Sequence, residues 1–255
     1  MRIASMKKTT RNLSFVLTIT TMLAMATTAL AQGTTIGGTG TEGEATGVMA
    51  LFAGDRFDNF RNMGRFVPTS TMTASPQPWN MGQNNNSLSF SGEFRGEPTS
   101  LEEFIALSDT SAFMVIKDGK ILHEHYAHGD SRESLHISFS MAKSFTSALV
   151  GIALEEGAID SLEDPIRKYL PELTSKTFDE VTVKQVLQMS SGVRFGEVYT
   201  DPESDINKMT AMVPPMTYLE YINTLGREHK PGTFNHYASI NTQLLGILLV
   251  RVTGE

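Results

Sequence analysis

The chain has 255 residues, of which 40% are hydrophobic and 19% are charged, which are ordinary values for a globular protein. This length allows one substantial core or two small domains. A net charge of -7 at pH 7 argues against nucleic acid as a partner. Because the chain has no cysteine, a disulfide framework and a thiolate zinc site are both excluded.

Residues 1–31 have the pattern of a secretory signal peptide. Basic residues near the N-terminus precede an apolar, threonine-containing stretch, and Ala29-Leu30-Ala31 forms a small-x-small cleavage site. A membrane anchor is the alternative, but the weakly apolar stretch favours cleavage. No later run has the length of a transmembrane helix. We therefore expect a protein in the bacterial periplasm or exterior, without stable membrane insertion after cleavage.

The segment after the predicted signal peptide is expected to be a disordered, Gly/Thr-rich linker over residues 32–56. Aromatic residues and prolines follow without periodicity up to residue 99, which indicates an irregular arm packed on the domain. The predicted organisation is therefore a signal peptide, a linker and one domain over residues 57–255.

The clearest predicted elements of the first half of the domain are a short helix and a hairpin. Ser100-Leu101-Glu102-Glu103 is a capping-box pattern, which predicts a helix through Leu107. Two β-prone runs, 112–116 and 121–126, flank Asp118-Gly119 and predict a β-hairpin.

A long helix is predicted over residues 139–156, with Gly157 as its C-terminal stop. It has little room for charge, so we expect a central, buried helix. Its apolar stripe comprises Met141, Phe145, Ala148, Leu149, Ile152 and Ala153.

The later part of the chain is predicted to be helical, with a long loop over residues 193–215. The predicted helices are a short one after Asp164-Pro165, then 182–189, one opened by the capping box at Thr217 and ending near 225, and 240–252. No later strands complete a sheet around the hairpin, and a two-stranded hairpin alone is marginal. We therefore expect this chain to be the first part of a longer protein.

Ser140 and Lys143 are the first candidates for chemistry. Residues three apart lie on one face of a helix, so these side chains should be neighbours near its N-terminus. The amide dipoles there disfavour a protonated amine, so Lys143 could act as the base for a Ser140 nucleophile. The alternative is a capping serine followed by a solvated lysine. Tyr237 and Ser239, at the start of a second apolar helix, favour the catalytic interpretation.

Several motifs, in order, resemble the serine β-lactamase and penicillin-binding-protein superfamily. Within it, residues 57–255 resemble the class C-like branch, and the segments 138–151 and 190–195 are most similar to the 6-aminohexanoate-dimer hydrolase group. The motifs are Ser140-Met141-Ala142-Lys143, Tyr169-Leu170-Pro171-Glu172-Leu173, Leu187-Gln188-Met189-Ser190-Ser191-Gly192-Val193, Pro231-Gly232-Thr233, Tyr237-Ala238-Ser239 and Val252-Thr253-Gly254.

The resemblance implies an α+β fold of the β-lactamase/transpeptidase type, with an antiparallel sheet flanked by helices and a helical region over residues 160–230. It implies that Ser140 attacks an acyl carbonyl, that Lys143 is its base and that Tyr237 relays a proton to the leaving group. The implied function is an exported serine hydrolase that cleaves small amides or esters through an acyl-enzyme, with no cofactor.

Two further residues are matched to substrate binding by the resemblance. Ser239 stands where many relatives have asparagine; it can still bind Lys143 or substrate, but with fewer donors. Tyr199 is matched to a substrate-covering tyrosine, with an exposed loop aromatic as the alternative. The alternative functions are a β-lactamase or D-alanyl-D-alanine carboxypeptidase, and a non-catalytic binding domain or inactive remnant.

The late strand of the family, with its Lys/His-Thr/Ser-Gly motif, is not found in the sequence, and Val252-Thr253-Gly254 ends a helix instead. That strand supplies an oxyanion-hole donor, so the 255-residue chain by itself is expected to be inactive or unfolded. His123, His125 and His128 lack a further ligand with site-like spacing, so no metal site is predicted.

Overall fold

The fold is described from a computed structural model of the chain. The described residues are 51–66, 69, 71, 75–83, 90–210 and 217–254. The predicted signal peptide and most of the predicted linker lie outside them. No helix within the described ranges is long and apolar enough to cross a bilayer.

The first described segment is folded against the loop that follows the hairpin. Helix α1 (Arg56–Arg61) begins after Asp55, whose carboxylate accepts from two backbone N–H groups of the first turn. Arg61 donates to the Asp130 carboxylate and to the His128 carbonyl, both at 2.9 Å. Leu51 is buried. The last residues of the segment predicted as a linker, 51–56, thus belong to the folded part.

The predicted hairpin is confirmed and is the core of a small sheet. Strands β4 (Ala112–Lys117) and β5 (Lys120–Tyr126) are antiparallel, with a bulge between Val115 and Ile116. The short β1 (Gly82–Gln83) pairs in parallel with β5, so the strand order is β1-β5-β4.

A second hairpin was missed in the stretch predicted to be irregular. Strands β2 (Ser91–Phe94) and β3 (Glu97–Ser100) pair around Arg95 and Gly96, which both have positive φ. The prediction was wrong because the strands contain Gly, Pro and Glu, which are depleted in strands. The two-residue turn at Arg95 and Gly96, with positive φ at both residues, favours pairing of β2 with β3.

The helix predicted after β3 is confirmed as α2 (Leu101–Leu107). Ser100 and Glu103 form both halves of the capping box, because each side chain accepts from the other residue's backbone N–H. Leu101 and Ile105 face inward and are buried. The cap therefore fixes where β3 ends and α2 begins.

The remaining elements are helical. They are α3 (Ala142–Glu155), α4 (Val183–Leu187), α5 (Asp205–Thr210), α6 (Tyr218–Thr224), α7 (Ser239–Thr253) and the 3-10 turns Met63–Arg65, Phe139–Met141, Ile166–Lys168 and Lys176–Phe178. The capping box predicted at Thr217 is formed, and Thr182 and Gln185 form a further one that was not predicted. Helix α5 lies within the predicted loop, so that prediction was wrong; Ile206 and Met209, three residues apart, form its buried face.

Helix α7 is the centre of the core, because α3, α4 and α6 all pack against it. Its fully buried side chains include Leu244 and Leu248. The partners that fill the core around it include Val150, Leu170, Leu173, Phe178, Val186 and Ile222. This packing fixes the first turn of α7 relative to the first turn of α3.

The expectation that α3 is buried all round was wrong. Within the described part of the chain, Phe145 is 70% exposed and Leu149 and Ile152 are each 52% exposed. The buried residues of α3 are Val150 and Ala153, which lie on the face of the helix that packs against α7. The lack of charged residues in α3 predicted burial of the whole helix. Among the described elements, however, only one face of α3 is covered by its neighbours.

Candidate active site

The start of α3 places Ser140 beside Lys143. Ser140 lies in the 3-10 turn Phe139–Met141, and Lys143 is in the first turn of the α-helix. Lys143 Nζ donates to Ser140 Oγ at 2.9 Å, and both residues are partly buried. The predicted neighbourhood of these two side chains is therefore present.

The backbone before Ser140 is strained. Phe139 has φ of +43°, a left-handed conformation that costs a non-glycine residue about 1–2 kcal/mol. Its ring packs on Phe60 at 5.3 Å in an edge-to-face contact and stacks on Phe52 at 6.1 Å. The N-terminal segment thus holds the turn that presents Ser140, a role that no sequence pattern indicated.

Tyr237 completes a three-residue cluster. Its hydroxyl donates to Ser140 Oγ at 2.6 Å, and its ring centroid lies 5.2 Å from Lys143 Nζ. It comes from the segment just before Ala238, the N-cap of α7. The packing of α7 on α3 therefore brings together residues that are 97 positions apart in the chain.

The segment around Tyr237 is held by the loop that follows α4. The His236 backbone N–H donates to the Met189 carbonyl at 2.8 Å, and His236 Nε2 lies 3.0 Å from the Phe195 carbonyl oxygen. Ser191 donates to the Asn241 side-chain oxygen at 2.7 Å, and both are almost fully buried. These bonds fix the position of the residue before Tyr237 and of the first turn of α7.

Ser239 and Tyr199 lie beside the cluster and are joined by Glu197. Ser239 is the first residue of α7, and its backbone N–H donates to the Glu197 carboxylate. The Tyr199 hydroxyl lies 3.5 Å from the other oxygen of that carboxylate. Glu197 was missed because a single acidic residue in a predicted loop carries no local signal.

The hydroxyl of Tyr199 is expected to lose its proton at a higher pH than an ordinary tyrosine does. Burial, followed by the negative charge of Glu197 and the neighbouring Tyr237, raises the pKa of Tyr199 to about 12. An unfolded tyrosine ionises near pH ~10, so the folded state holds this proton more tightly. The free energy of unfolding is therefore expected to fall as pH rises between these two values.

Denaturant unfolding at a series of alkaline pH values tests this expectation. Tyr199→Phe should flatten the fall, whereas Tyr221, whose pKa burial also raises to about 12, contributes equally to both proteins. Tyrosinate absorbance of the folded proteins gives an independent measure. Identical pH profiles for the wild type and Tyr199→Phe would show that the Tyr199 hydroxyl is not perturbed.

No group of three or more His, Asp or Glu side chains in the described ranges is placed to hold a metal ion. The His123 ring, one of the three histidines considered from the sequence, packs edge-on against Phe113 at 6.0 Å. His128 stacks on Phe57 at 4.0 Å and contacts Asp109 at 2.8 Å.

The described part of the chain combines small sheets with helices, and the neighbouring Ser140 and Lys143 lie at the start of α3. The beta-lactamase family matches residues 108–255, more than half of the chain, and the chain therefore belongs to that family.

The relatives include the 6-aminohexanoate-dimer hydrolase of Paenarthrobacter ureafaciens, which is 32% identical over 163 residues, covering 60% of this chain and 41% of the relative. Protein flp of Staphylococcus aureus strain N315 is 26% identical over 160 residues, covering 57% of this chain and 30% of that protein. The chain thus spans less than half the length of these relatives.

Among solved structures, a protein described as a 6-aminohexanoate-dimer hydrolase from Bacillus anthracis superposes with a TM-score of 0.68. It is 22% identical, and the match covers 80% of this chain and 57% of that structure. At this identity the likeness shows the fold, and the predicted β-lactamase-like fold is confirmed.

Proposed function

We propose that the protein is an exported serine hydrolase that cleaves small amides or esters through an acyl-enzyme on Ser140. The observation that carries the proposal is the position of Ser140 Oγ, 2.9 Å from Lys143 Nζ and 2.6 Å from the Tyr237 hydroxyl. A serine needs an adjacent base to become a nucleophile, and both neighbours are within proton-transfer distance. Export rests on the pattern of residues 1–31.

In the proposed acylation step, the Ser140 proton moves to Lys143 Nζ as Oγ forms a bond to the substrate carbonyl carbon. The tetrahedral oxyanion then collapses, and the bond to the leaving nitrogen or oxygen breaks. Tyr237 gives its proton to that leaving atom and regains one from Lys143. The enzyme is then an ester of Ser140, and the amine or alcohol has left.

In the proposed deacylation step, a water molecule gives a proton to the same pair and its oxygen attacks the ester carbonyl. The bond from the carbonyl carbon to Oγ breaks, and Oγ takes the proton back. The products are a carboxylic acid and the starting enzyme. The Ser140 backbone N–H is the proposed oxyanion donor, since backbone amides stabilise such charge in acyl transfer.

Small amides are the preferred substrate class. One relative is named as a hydrolase of the 6-aminohexanoate dimer, which is a linear amide. Tyr199 and Ser239 lie beside the cluster and offer a hydroxyl each to a bound substrate. Both hydroxyls suit a short polar chain, so they are proposed as substrate-binding residues.

Tyr237→Phe tests the proposed proton relay. We expect kcat for a linear amide to fall by about 10²–10⁴-fold, because its amine leaving group needs a proton and general acid–base catalysis typically contributes this much. KM should change little, since the phenol acts on the leaving group. Tyr218→Phe, at an exposed tyrosine that opens α6, is the matched control and should keep full activity.

The measurement should use the protein as its gene encodes it. Equal kcat values for Tyr237→Phe and the wild type would contradict the relay. Nitrocefin turnover comparable with that of the amide would favour a β-lactamase instead. Absence of a fluorophosphonate adduct on Ser140 would favour a non-catalytic binding domain.

A further inference from the structure

We propose that Glu197 is a positioning residue that sets the place of Tyr237 by capping α7 from a separate segment of the chain. This inference rests on the proposed function, because it assigns Glu197 a part in the chemistry at Ser140. The carboxylate touches the backbone of α7, and the reacting hydroxyl of Ser140 is in contact with Tyr237.

The N-terminus of α7 lacks a cap of its own. The N-cap is Ala238, which has no side-chain oxygen, whereas α2, α4 and α6 are each capped by their own serine or threonine. The first backbone N–H groups of a helix need acceptors from outside the helix. Glu197 supplies one by accepting from the Ser239 N–H, and its negative charge suits this end of the helix.

Tyr237 lies between two anchored points. On its N-terminal side, His236 is held by the carbonyls of Met189 and Phe195. On its C-terminal side, Glu197 holds the Ser239 N–H. With both sides fixed, the Tyr237 backbone has little freedom, and its hydroxyl stays within 2.6 Å of Ser140 Oγ.

Loss of the Glu197 carboxylate releases only the second anchor. The Ser239 N–H is then without its acceptor in a partly buried position, and the first turn of α7 can fray. Tyr237 is 44% exposed, so its ring is not held in place by full burial. A displacement of about 1 Å in a catalytic group can cost about 10²-fold in rate.

The test is the second-order rate constant with which a fluorophosphonate probe labels Ser140, because this rate does not depend on knowing the substrate. Glu197→Ala should label about 10²-fold more slowly than the wild type. Glu197→Gln should recover to within about 10-fold, since its amide oxygen can accept the same N–H. Thermal unfolding is followed for every variant.

Glu220→Ala is the matched control, because Glu220 caps α6 by accepting from the Thr217 backbone N–H at 2.6 Å. It removes a carboxylate that accepts a backbone N–H at the start of a different helix, away from Ser140. Its labelling rate should stay within about 2-fold of the wild type. A merely structural role for Glu197 would make Glu197→Ala and Glu220→Ala behave alike.

Two outcomes with these variants would overturn the role proposed for Glu197. Glu197→Ala could label as fast as the wild type, or Glu197→Gln could be as slow as Glu197→Ala. Wild-type protein that is not labelled would instead overturn the proposed function, and the role of Glu197 with it. Should Glu197→Ala fail to fold, Glu197→Asp replaces it; the shorter carboxylate should label about 10-fold more slowly, and a wild-type rate would be the contradiction.

Discussion

Replacing Ser140 with alanine is expected to lower kcat for ester and amide hydrolysis by about 10⁶-fold. The substitution removes the oxygen that lies within hydrogen-bond distance of both Lys143 Nζ and the Tyr237 hydroxyl, and no covalent intermediate on residue 140 can then form. The fold should be unaffected, because the hydroxyl is partly buried and touches only these two groups in the described structure.

Ser144→Ala is the matched control for this substitution. Ser144 lies one turn further along α3 and is exposed, so its removal should leave kcat within about 2-fold of the wild type. Both variants and the wild type are compared by initial rates on p-nitrophenyl acetate and by far-UV circular dichroism. If folded Ser140→Ala were active, another residue would have to be the nucleophile.

Replacing Gly192 with alanine is expected to cost about 2–5 kcal/mol of unfolding free energy. Gly192 has φ of +78°, and an added Cβ would lie 2.1 Å from the His229 carbonyl oxygen. The left-handed conformation accounts for about 1–2 kcal/mol, and overpacking adds about 1–3 kcal/mol. Since the Gly192 carbonyl accepts from the Glu228 and His229 N–H groups, a backbone shift would break further bonds.

Gly157→Ala separates the two contributions to this cost. Gly157 follows α3 with φ of +76°, but an added Cβ would meet nothing within 4 Å. It should therefore cost only the conformational part, about 1–2 kcal/mol. Urea unfolding of both variants gives the comparison, and equal losses would show that the clash at Gly192 is relieved without cost.

Local signals in the sequence predicted the elements that depend on a few adjacent residues. The capping boxes predicted at Ser100 and Thr217 define helix starts because each needs only a hydroxyl and an acid three positions later. The serine–lysine spacing on α3 is local in the same way. Tyr237 was found through the resemblance of its motif to the superfamily.

Features set by tertiary packing could not be predicted in this way. The exposed face of α3 around Phe145 is as apolar as the face of a buried helix. Whether such a face is buried depends on which other elements pack against it. The positive φ of Phe139 occurs where its ring packs on Phe52, from the predicted linker, and on Phe60, from the stretch predicted to be irregular. Glu197 contacts α7 across 42 positions of sequence, so no spacing rule marks it.

The most direct test of the account is to map the site of fluorophosphonate labelling by intact mass and peptide sequencing. The account predicts one adduct per chain, on Ser140, which disappears in Ser140→Ala and persists in Ser144→Ala. An adduct on another serine, or no adduct on folded wild-type protein, would contradict the proposal that Ser140 is the nucleophile.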